Sequence, residues 1–382
     1  MNFAPTDEQK MVREMVRKFS EENIKPVAAE HDRTHRHPQE LCRKLGEMGI
    51  MGVAVPTEYG GAGMDNVTYV MALIEISKAC ASVGVITSVN NSLYGYPINE
   101  FGTDEQKRRY LAPVAGGKVE GCYGLTESSA GSDAAAVKCK AELRGDKYIV
   151  NGVKTFITNG NVADYCVLAA TTDASVGYKA IINLIVDLKN TPGFHVGKVE
   201  EKLGILASGT AELVFEDAEV PAENLLGKPG QGFRQMLSGL DAGRIGIGAQ
   251  ACGIGRAALE DALAYAKERV QFGKPISAFQ AIQFKLADMA TELDAAELML
   301  LRAAWLEDNH LDFEKEAAMA KYYASDVAMK AAIEGVQIFG GYGYIKEYPA
   351  ERHMRDAKIC QIYEGTNEIQ RIVVSRKLLG MR

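Results

Sequence analysis

The stretch Tyr148-Ile149-Val150-Asn151-Gly152-Val153-Lys154-Thr155-Phe156-Ile157 decides the fold class. β-Branched and aromatic residues dominate it. Asn-Gly at its centre is the dipeptide that a two-residue hairpin turn favours, because both central positions take positive φ. The stretch therefore predicts two strands meeting at Asn151-Gly152. Further β-like runs follow at Tyr165–Ala169, Ala180–Val186, Glu212–Phe215 and Glu219–Val220. Short strands at near-regular spacing predict a compact barrel or sandwich of about 110 residues. The chain leaves it at Pro221 and Gly227-Lys228-Pro229-Gly230.

On both sides of this segment the period changes to helical. Upstream, Thr6-Asp7-Glu8-Gln9 has the form of a capping box, and Met11, Val12, Met15, Val16 and Phe19 share one helical face. A second helix is predicted through Leu41, Leu45 and Met48. Pro56 and Gly60-Gly61 interrupt the pattern, which resumes at Tyr69-Val70, Leu73-Ile74 and Ile76. Downstream of Gly232, Leu286, Met289, Leu293, Ala296, Leu300 and Ala304 mark a long buried face. This order predicts an N-terminal α-helical domain over 1–117, a middle β-barrel domain over 118–229 and a C-terminal α-helical bundle domain over 230–382.

Composition narrows the function. Among 382 residues, 43 Lys+Arg against 50 Asp+Glu give a net charge of −7, and the basic run Lys107-Arg108-Arg109 is isolated. Nucleic-acid binding is not expected of such a chain. Seven scattered cysteines form no CxxC pair, and His31, His35 and His37 sit among charged residues. No disulfide and no metal site is expected, and the thiols suit a reducing compartment. Met1–Pro5 carries no leader signal and no long apolar run occurs, so a cytoplasmic protein without membrane insertion is expected. Gly246-Ile247-Gly248-Ala249-Gln250-Ala251 matches G-x-G-x-x-A, but it lies inside a helical run from Phe233 to Val270. A nicotinamide fingerprint instead follows a strand and opens a helix. There is neither a P-loop nor a G-x-S-x-G.

Four polar or glycine-rich runs remain: Tyr123-Gly124-Leu125-Thr126-Glu127-Ser128-Ser129-Ala130-Gly131-Ser132-Asp133; Phe156-Ile157-Thr158-Asn159-Gly160; Ile338-Phe339-Gly340-Gly341-Tyr342-Gly343-Tyr344; and Ile362-Tyr363-Glu364-Gly365-Thr366-Asn367-Glu368. Each has an ordinary reading as a loop or helix cap. Their hydroxyls and bare backbone also suit a polar ligand. Glu364, after two bulky residues and before glycine, fits either a carboxylate in a dry pocket or a helix N-terminal acid.

Together with Pro56–Gly61, Leu203-Gly204-Ile205 and Arg269-Val270-Gln271-Phe272-Gly273, these runs resemble the acyl-CoA dehydrogenase family along essentially the whole chain, most closely its short-chain (butyryl-CoA) branch. The resemblance implies a mainly α fold with a central β-barrel and a C-terminal four-helix bundle. It implies FAD lined by Tyr123, Leu125, Thr126, Gly131, Ser132, Phe156, Ile157 and Thr158. Arg269 and Gln280 would reach its pyrophosphate, Gln337, Ile338, Gly340 and Gly341 would cradle its adenosine half, and Phe272 would bind the cofactor beside them. In the family this second set comes from a neighbouring subunit, so a homotetramer is implied. Thr366 and Glu368 would close the cofactor site.

Glu364 is similar to the family's base, which takes the α-proton while the flavin accepts the β-hydride. Ser132, Asp241, Arg244 and Gly365 are similar to acyl-CoA contacts. Some branches carry the base immediately before an arginine equivalent to Arg244, where this chain has Gly243; Glu368 remains a formal competitor. Where the common flavin loop has Pro-Asn, this chain has Ser128-Ser129, which loosens the loop slightly. Val89–Tyr94 is expected at the lid of the acyl pocket.

The implied function is conversion of a short-chain acyl-CoA to a trans-2-enoyl-CoA, with electrons leaving through an electron-transferring flavoprotein. Alternatives are a branched or alicyclic (cyclohexanecarboxyl-type) substrate and an enoyl-CoA-reducing member of a bifurcating complex. An oxidase passing electrons to O₂ and a non-catalytic paralogue are further alternatives, disfavoured by length and by the presence of Glu364.

Overall fold

The computed structural model describes residues 4–381; Met1–Phe3, part of the segment read above for a leader, lie outside them. Helix α1 (Asp7–Phe19) starts at the predicted capping box, with Gln9 N donating to Thr6 Oγ1 at 3.2 Å and Thr6 N donating to Gln9 Oε1 at 2.9 Å. Its apolar stripe is narrower than predicted: Val12 and Val16 are buried, whereas Met11 and Met15 are exposed. Next come α2 (Lys25–Thr34), α3 (Gln39–Glu47), α4 (Asn66–Ala79), α5 (Ala81–Val89), α6 (Tyr96–Phe101), α7 (Asp104–Gln106) and α8 (Ala112–Ala115). Every residue of α5 is buried, and α4 is buried on nearly all sides. Such all-round burial places these helices inside the molecule rather than on its surface.

The middle of the chain forms one seven-stranded sheet. Its strands are β1 (Gly121–Gly124), β2 (Lys140–Arg144), β3 (Lys147–Thr158), β4 (Tyr165–Thr171), β5 (Ile181–Asp187), β6 (Phe194–Val199) and β7 (Thr210–Pro221). They run in the order β1-β4-β2-β3-β7-β6, with β5 on the other side of β4. Because β5 and β6 do not pair with each other, the sheet stays open, and the expected closed barrel is corrected to a half-barrel.

The predicted hairpin at Asn151-Gly152 is also corrected. β3 runs straight through the dipeptide, antiparallel to β7, and the register shifts between Val150 and Gly152. Positive φ at Gly152 thus serves a β-bulge. The real hairpin joins β2 to β3 through Gly145-Asp146, with Arg144 opposite Lys147 and Gly145 at φ 64°. β7 likewise unites the two runs read separately at Glu212–Phe215 and Glu219–Val220.

The C-terminal part is built on α9 (Gly232–Glu268), α10 (Gln280–Asp308) and α11 (Glu314–Phe339), with a two-stranded β8 (Val270–Gln271) and β9 (Lys274–Pro275) in the first connection. Two shorter helices complete it, α12 (Ala350–Cys360) and α13 (Asn367–Leu379). The G-x-G-x-x-A match lies inside α9 and packs against neighbours. A Cβ at Gly246 would sit 2.4 Å from Ser88 Oγ, and one at Gly248 would sit 2.4 Å from Leu300 Cδ2. Helical and sheet residues share one large core. Among the described residues no helix is long and apolar enough to cross a membrane.

Candidate active site

Between α12 and α13 the chain turns through Tyr363-Glu364-Gly365-Thr366. Glu364 has φ 52° and Gly365 φ 89°. A left-handed non-glycine residue carries a strain of about 1–3 kcal/mol, so its surroundings must hold it there. Buried Gln370 supplies that hold, its Nε2 donating to Glu364 O at 3.1 Å and to Gly365 O at 2.9 Å. Lys321 Nζ, fully buried on α11, donates to Gly365 O at 2.8 Å and to Asn367 Oδ1 at 3.1 Å. Tyr363 is anchored by donation from its hydroxyl to Gln250 on α9.

The turn aims the Glu364 side chain at α9. The residue is half-buried, yet its Oε2 is enclosed and has no hydrogen-bond partner. Facing it is Gly243, where an added Cβ would lie 2.1 Å from Oε2 and 3.0 Å from Leu93 Cδ2. Burial lifts the Glu364 carboxyl to about 8, against the opposing pull of Lys321 and Arg244. Burial also brings Lys321 down to about 8. Arg244 is buried and ion-paired with Asp241, and its Nε is enclosed without a partner. Burial raises Asp241 to about 6, although Arg244 opposes it. The site is therefore an enclosed carboxyl that feels two basic side chains, Lys321 and Arg244, neither of which is paired with it. Beside Ala242 a cavity of about 450 Å³ is lined by Tyr69, Asn91, Ser92, Tyr96 and Glu307 among others.

A second group of residues gathers on the sheet. At the second register shift of β3, between Lys154 and Ile157, Thr155 N leaves the β7 ladder and donates to Thr126 O at 2.8 Å. Phe156 takes φ 57° and stands 64% exposed, while Ile157 points inward. Below it, Lys154 Nζ is fully buried and donates to Leu125 O at 3.0 Å and to Glu127 Oε1 at 2.6 Å. Glu127 in turn accepts from Lys138 N at 2.8 Å and Cys139 N at 2.9 Å, which closes the loop 127–139. The hydroxyls of half-buried Thr126 and Thr158 have no partner among the described residues, and the buried Tyr123 hydroxyl has none either. Gly131 and Ser132 lie exposed at the loop tip, and Gly131 has open space where a Cβ would be.

A third group lies at one end of the helical part. Arg269, the C-cap of α9, is half-buried with its guanidinium over the Tyr342 ring at 5.5 Å. Gln280 opens α10 and is exposed, as is Gln337 on α11. Gly340 and Gly341 have open space around them, whereas Ile338 is buried. Phe272 is 93% exposed. No hydrogen bond, ion pair or ring contact joins this group to the sheet group among the described residues.

Three family models account for most of the chain: the acyl-CoA dehydrogenase N-terminal domain over residues 6–118, the middle domain over 122–218 and the C-terminal domain over 230–379. The chain belongs to the acyl-CoA dehydrogenase family. It is 50% identical to the short-chain specific acyl-CoA dehydrogenase of Clostridium acetobutylicum, over 99% of this chain and 100% of that one. Among solved structures it is similar to butyryl-CoA dehydrogenase from Megasphaera elsdenii, with a TM-score of 0.97 and 46% identity over 99% of this chain and 100% of that one. It also matches a chain described as the electron-transferring flavoprotein of Acidaminococcus fermentans, from work on flavin-based electron bifurcation. There the TM-score is 0.98 with 52% identity, over 99% of this chain and 100% of that one.

Several features of this dehydrogenase were not anticipated from its text. Lys154, Lys321, Gln250 and Gln370 organise the site, and two of them left a trace. Lys154 holds an inward phase of β3 with Tyr148 and Val150, and Lys321 lies among buried Ala317, Ala318, Ala320 and Ala324. A lone cation on an apolar face is the signal in both cases. Thr366 caps α13 through Ile369 N at 3.4 Å, and Glu368 is exposed in the first turn. Its own N–H and the Thr366 hydroxyl hold its carboxyl below the usual range, unlike Glu364. Of the expected lid, Asn91 and Ser92 line the cavity. Asn90 Oδ1 instead accepts from Gly121 N at 2.8 Å, and Tyr94 is buried with its hydroxyl on Tyr110 O at 2.9 Å.

Proposed function

We propose that the protein is an FAD-dependent dehydrogenase of short-chain acyl-CoA thioesters in which Glu364 removes the α-proton. The enclosed Glu364 Oε2 carries this reading, because it lies near Arg244 and Lys321 with no hydrogen-bond partner and is free to take a proton. Burial favours its neutral form, so proton uptake is the downhill direction once a substrate lies against it. The Glu364 N–H donates to no protein acceptor among the described residues, which leaves it for the thioester oxygen where enolate-like charge develops. Arg244, Asp241, Ser132 and Gly365 would contact the acyl-CoA. The short-chain preference rests on the similarity to short-chain specific relatives.

The sheet group fits a flavin. Thr126 and Thr158 offer two unpartnered hydroxyls on adjoining backbone, and Phe156 and Gly131 leave an accessible face beside them. Tyr123, Leu125, Ser132 and Ile157 would complete it, with Thr366 and Glu368 closing over. FAD when bound supplies the acceptor for the β-hydride. Arg269, Phe272, Gln280, Gln337, Ile338, Gly340 and Gly341 would serve the flavin of a neighbouring copy in a homotetramer. The separation of the two groups within one chain and the exposure of Phe272 support that division. The division into 1–117, 118–229 and 230–382 is part of the same reading, and seven free thiols suit a reducing cytoplasm.

An electron-transferring flavoprotein is the proposed redox partner. A second reading, enoyl-CoA reduction within a bifurcating assembly, is favoured by the 52% identity to the Acidaminococcus chain. The test is anaerobic titration of the purified flavoprotein with butyryl-, isobutyryl-, isovaleryl-, hexanoyl-, glutaryl- and cyclohexanecarboxyl-CoA, following loss of the flavin's visible band. Butyryl-CoA is expected to bleach it fastest. Bleaching by none of them with FAD bound would overturn the dehydrogenase reading for these acyl groups.

A further inference from the structure

Away from the flavin and acyl groups, three metal-ligating side chains converge at the seam between the N-terminal helices and the sheet. His37 immediately precedes Pro38, the N-cap of α3; Cys42 lies on the first turns of α3; Glu120 precedes β1. A close approach of two glycines brings them together. A Cβ on Gly46 would lie 2.3 Å from Gly117 Cα, so α3 and the chain entering β1 touch backbone to backbone. One ligand atom from each of His37, Cys42 and Glu120 lies within 4.8 Å of the others. His37 Nε2 is 2.8 Å from Glu120 Oε1.

The hydrogen-bond inventory of this cluster does not close. Glu120 is 7% exposed and its Oε2 is enclosed without a partner; His37 Nδ1 is enclosed without one too. Buried polar atoms are satisfied in the great majority of cases, and a pair of orphans in one cluster calls for a missing partner. Asp164 steadies the acid's backbone, accepting from Glu120 N at 3.4 Å while Asp164 N donates to Glu120 O at 2.9 Å.

We propose that His37, Cys42 and Glu120 form a binding site for a divalent cation of the zinc class, which clips the entry of α3 to the entry of β1. The donor set of one imidazole, one thiolate and one carboxylate is that of a borderline-soft metal, with water as the fourth ligand through the partly open His37 side. Zinc bonds of roughly 2.0–2.3 Å in a tetrahedron set ligand atoms about 3.5 Å apart, so the wider separations within the 4.8 Å cluster must shrink while His37 Nε2 and Glu120 Oε1, now 2.8 Å apart, must part slightly. On binding, the Cys42 thiol proton leaves to solvent and the thiolate takes its place on the metal; nothing is oxidised or reduced. None of the three residues belongs to the catalytic or cofactor groups.

The experiment uses the full FAD-loaded chain without a polyhistidine tag, stripped with chelator and dialysed against zinc at equilibrium, with metal counted by mass spectrometry. Wild type, Cys42→Ser and His37→Gln are compared, and flavin content and metal-free melting temperature establish that each variant is folded. The wild type is expected to hold one zinc per chain and to melt higher with zinc than without. Loss of a direct ligand is expected to weaken zinc by more than the roughly 10–100-fold that a supporting residue is worth, and to abolish the thermal shift. Substoichiometric zinc in the wild type, or equal zinc and equal thermal shift in folded Cys42→Ser and His37→Gln, would overturn the site and leave His37–Glu120 as a hydrogen bond.

Discussion

Replacing Glu364 by Gln keeps the shape of the side chain and removes its ionisation. The carboxyl moves from an ordinary 4.5 to about 8 on folding because burial penalises its charged form. Between those two values the folded state retains a proton that the unfolded state has lost, so stability falls as pH rises and levels off above about 8. At about 1.4 kcal/mol per pH unit the full shift corresponds to roughly 5 kcal/mol. Glu364 is only half-buried, and solvent screening reduces this to about 2 kcal/mol.

The Gln variant carries no such dependence. Its stability relative to the wild type is therefore expected to grow by about 2 kcal/mol from about pH 5 to pH 9. Urea titrations of both proteins at matched FAD saturation check this through the unfolding midpoint at constant slope. The variant is also expected to retain flavin and lose nearly all turnover, since an amide cannot accept the α-proton. A stability difference independent of pH, or one shrinking as pH rises, would refute the buried-base geometry, and near-normal turnover would remove Glu364 from the chemistry.

Because kcat/KM reports the free enzyme, its logarithm is expected to keep rising with unit slope above the ordinary carboxylate range, to at most about pH 8, and then flatten; a plateau already reached near pH 5 would mean that Glu364 is ordinarily acidic. Gly243→Ala places a methyl 2.1 Å from Glu364 Oε2, and the displaced carboxylate is expected to reduce kcat about 100-fold, measured with flavin content unchanged. Lys154→Met leaves Glu127 buried with only its two backbone donors, an expected loss of about 3 kcal/mol in denaturant unfolding together with weaker FAD retention.

Local signals in the sequence established the helix–strand–helix order, the capping box at Thr6 and the helical setting of Gly246–Ala251. Each depends on periodicity or on one residue's backbone preference, which neighbours in the chain already express. Long-range pairing decided the rest. Asn151-Gly152 reads as a turn, but β7 pairs along the whole of β3 and converts it to a bulge; edge strands that never meet keep the sheet open. The same holds for charge. A buried lysine such as Lys154 or Lys321 is stable only beside the carboxylate or carbonyls that folding delivers from distant segments. His37, Cys42 and Glu120 likewise look unrelated along the chain and meet where two glycines let backbones touch. What the sequence determines by itself is therefore the local conformation and the kind of chemistry available. The position of each charged group relative to its counter-charge belongs to the tertiary structure, because electrostatic compensation acts through space and not along the chain.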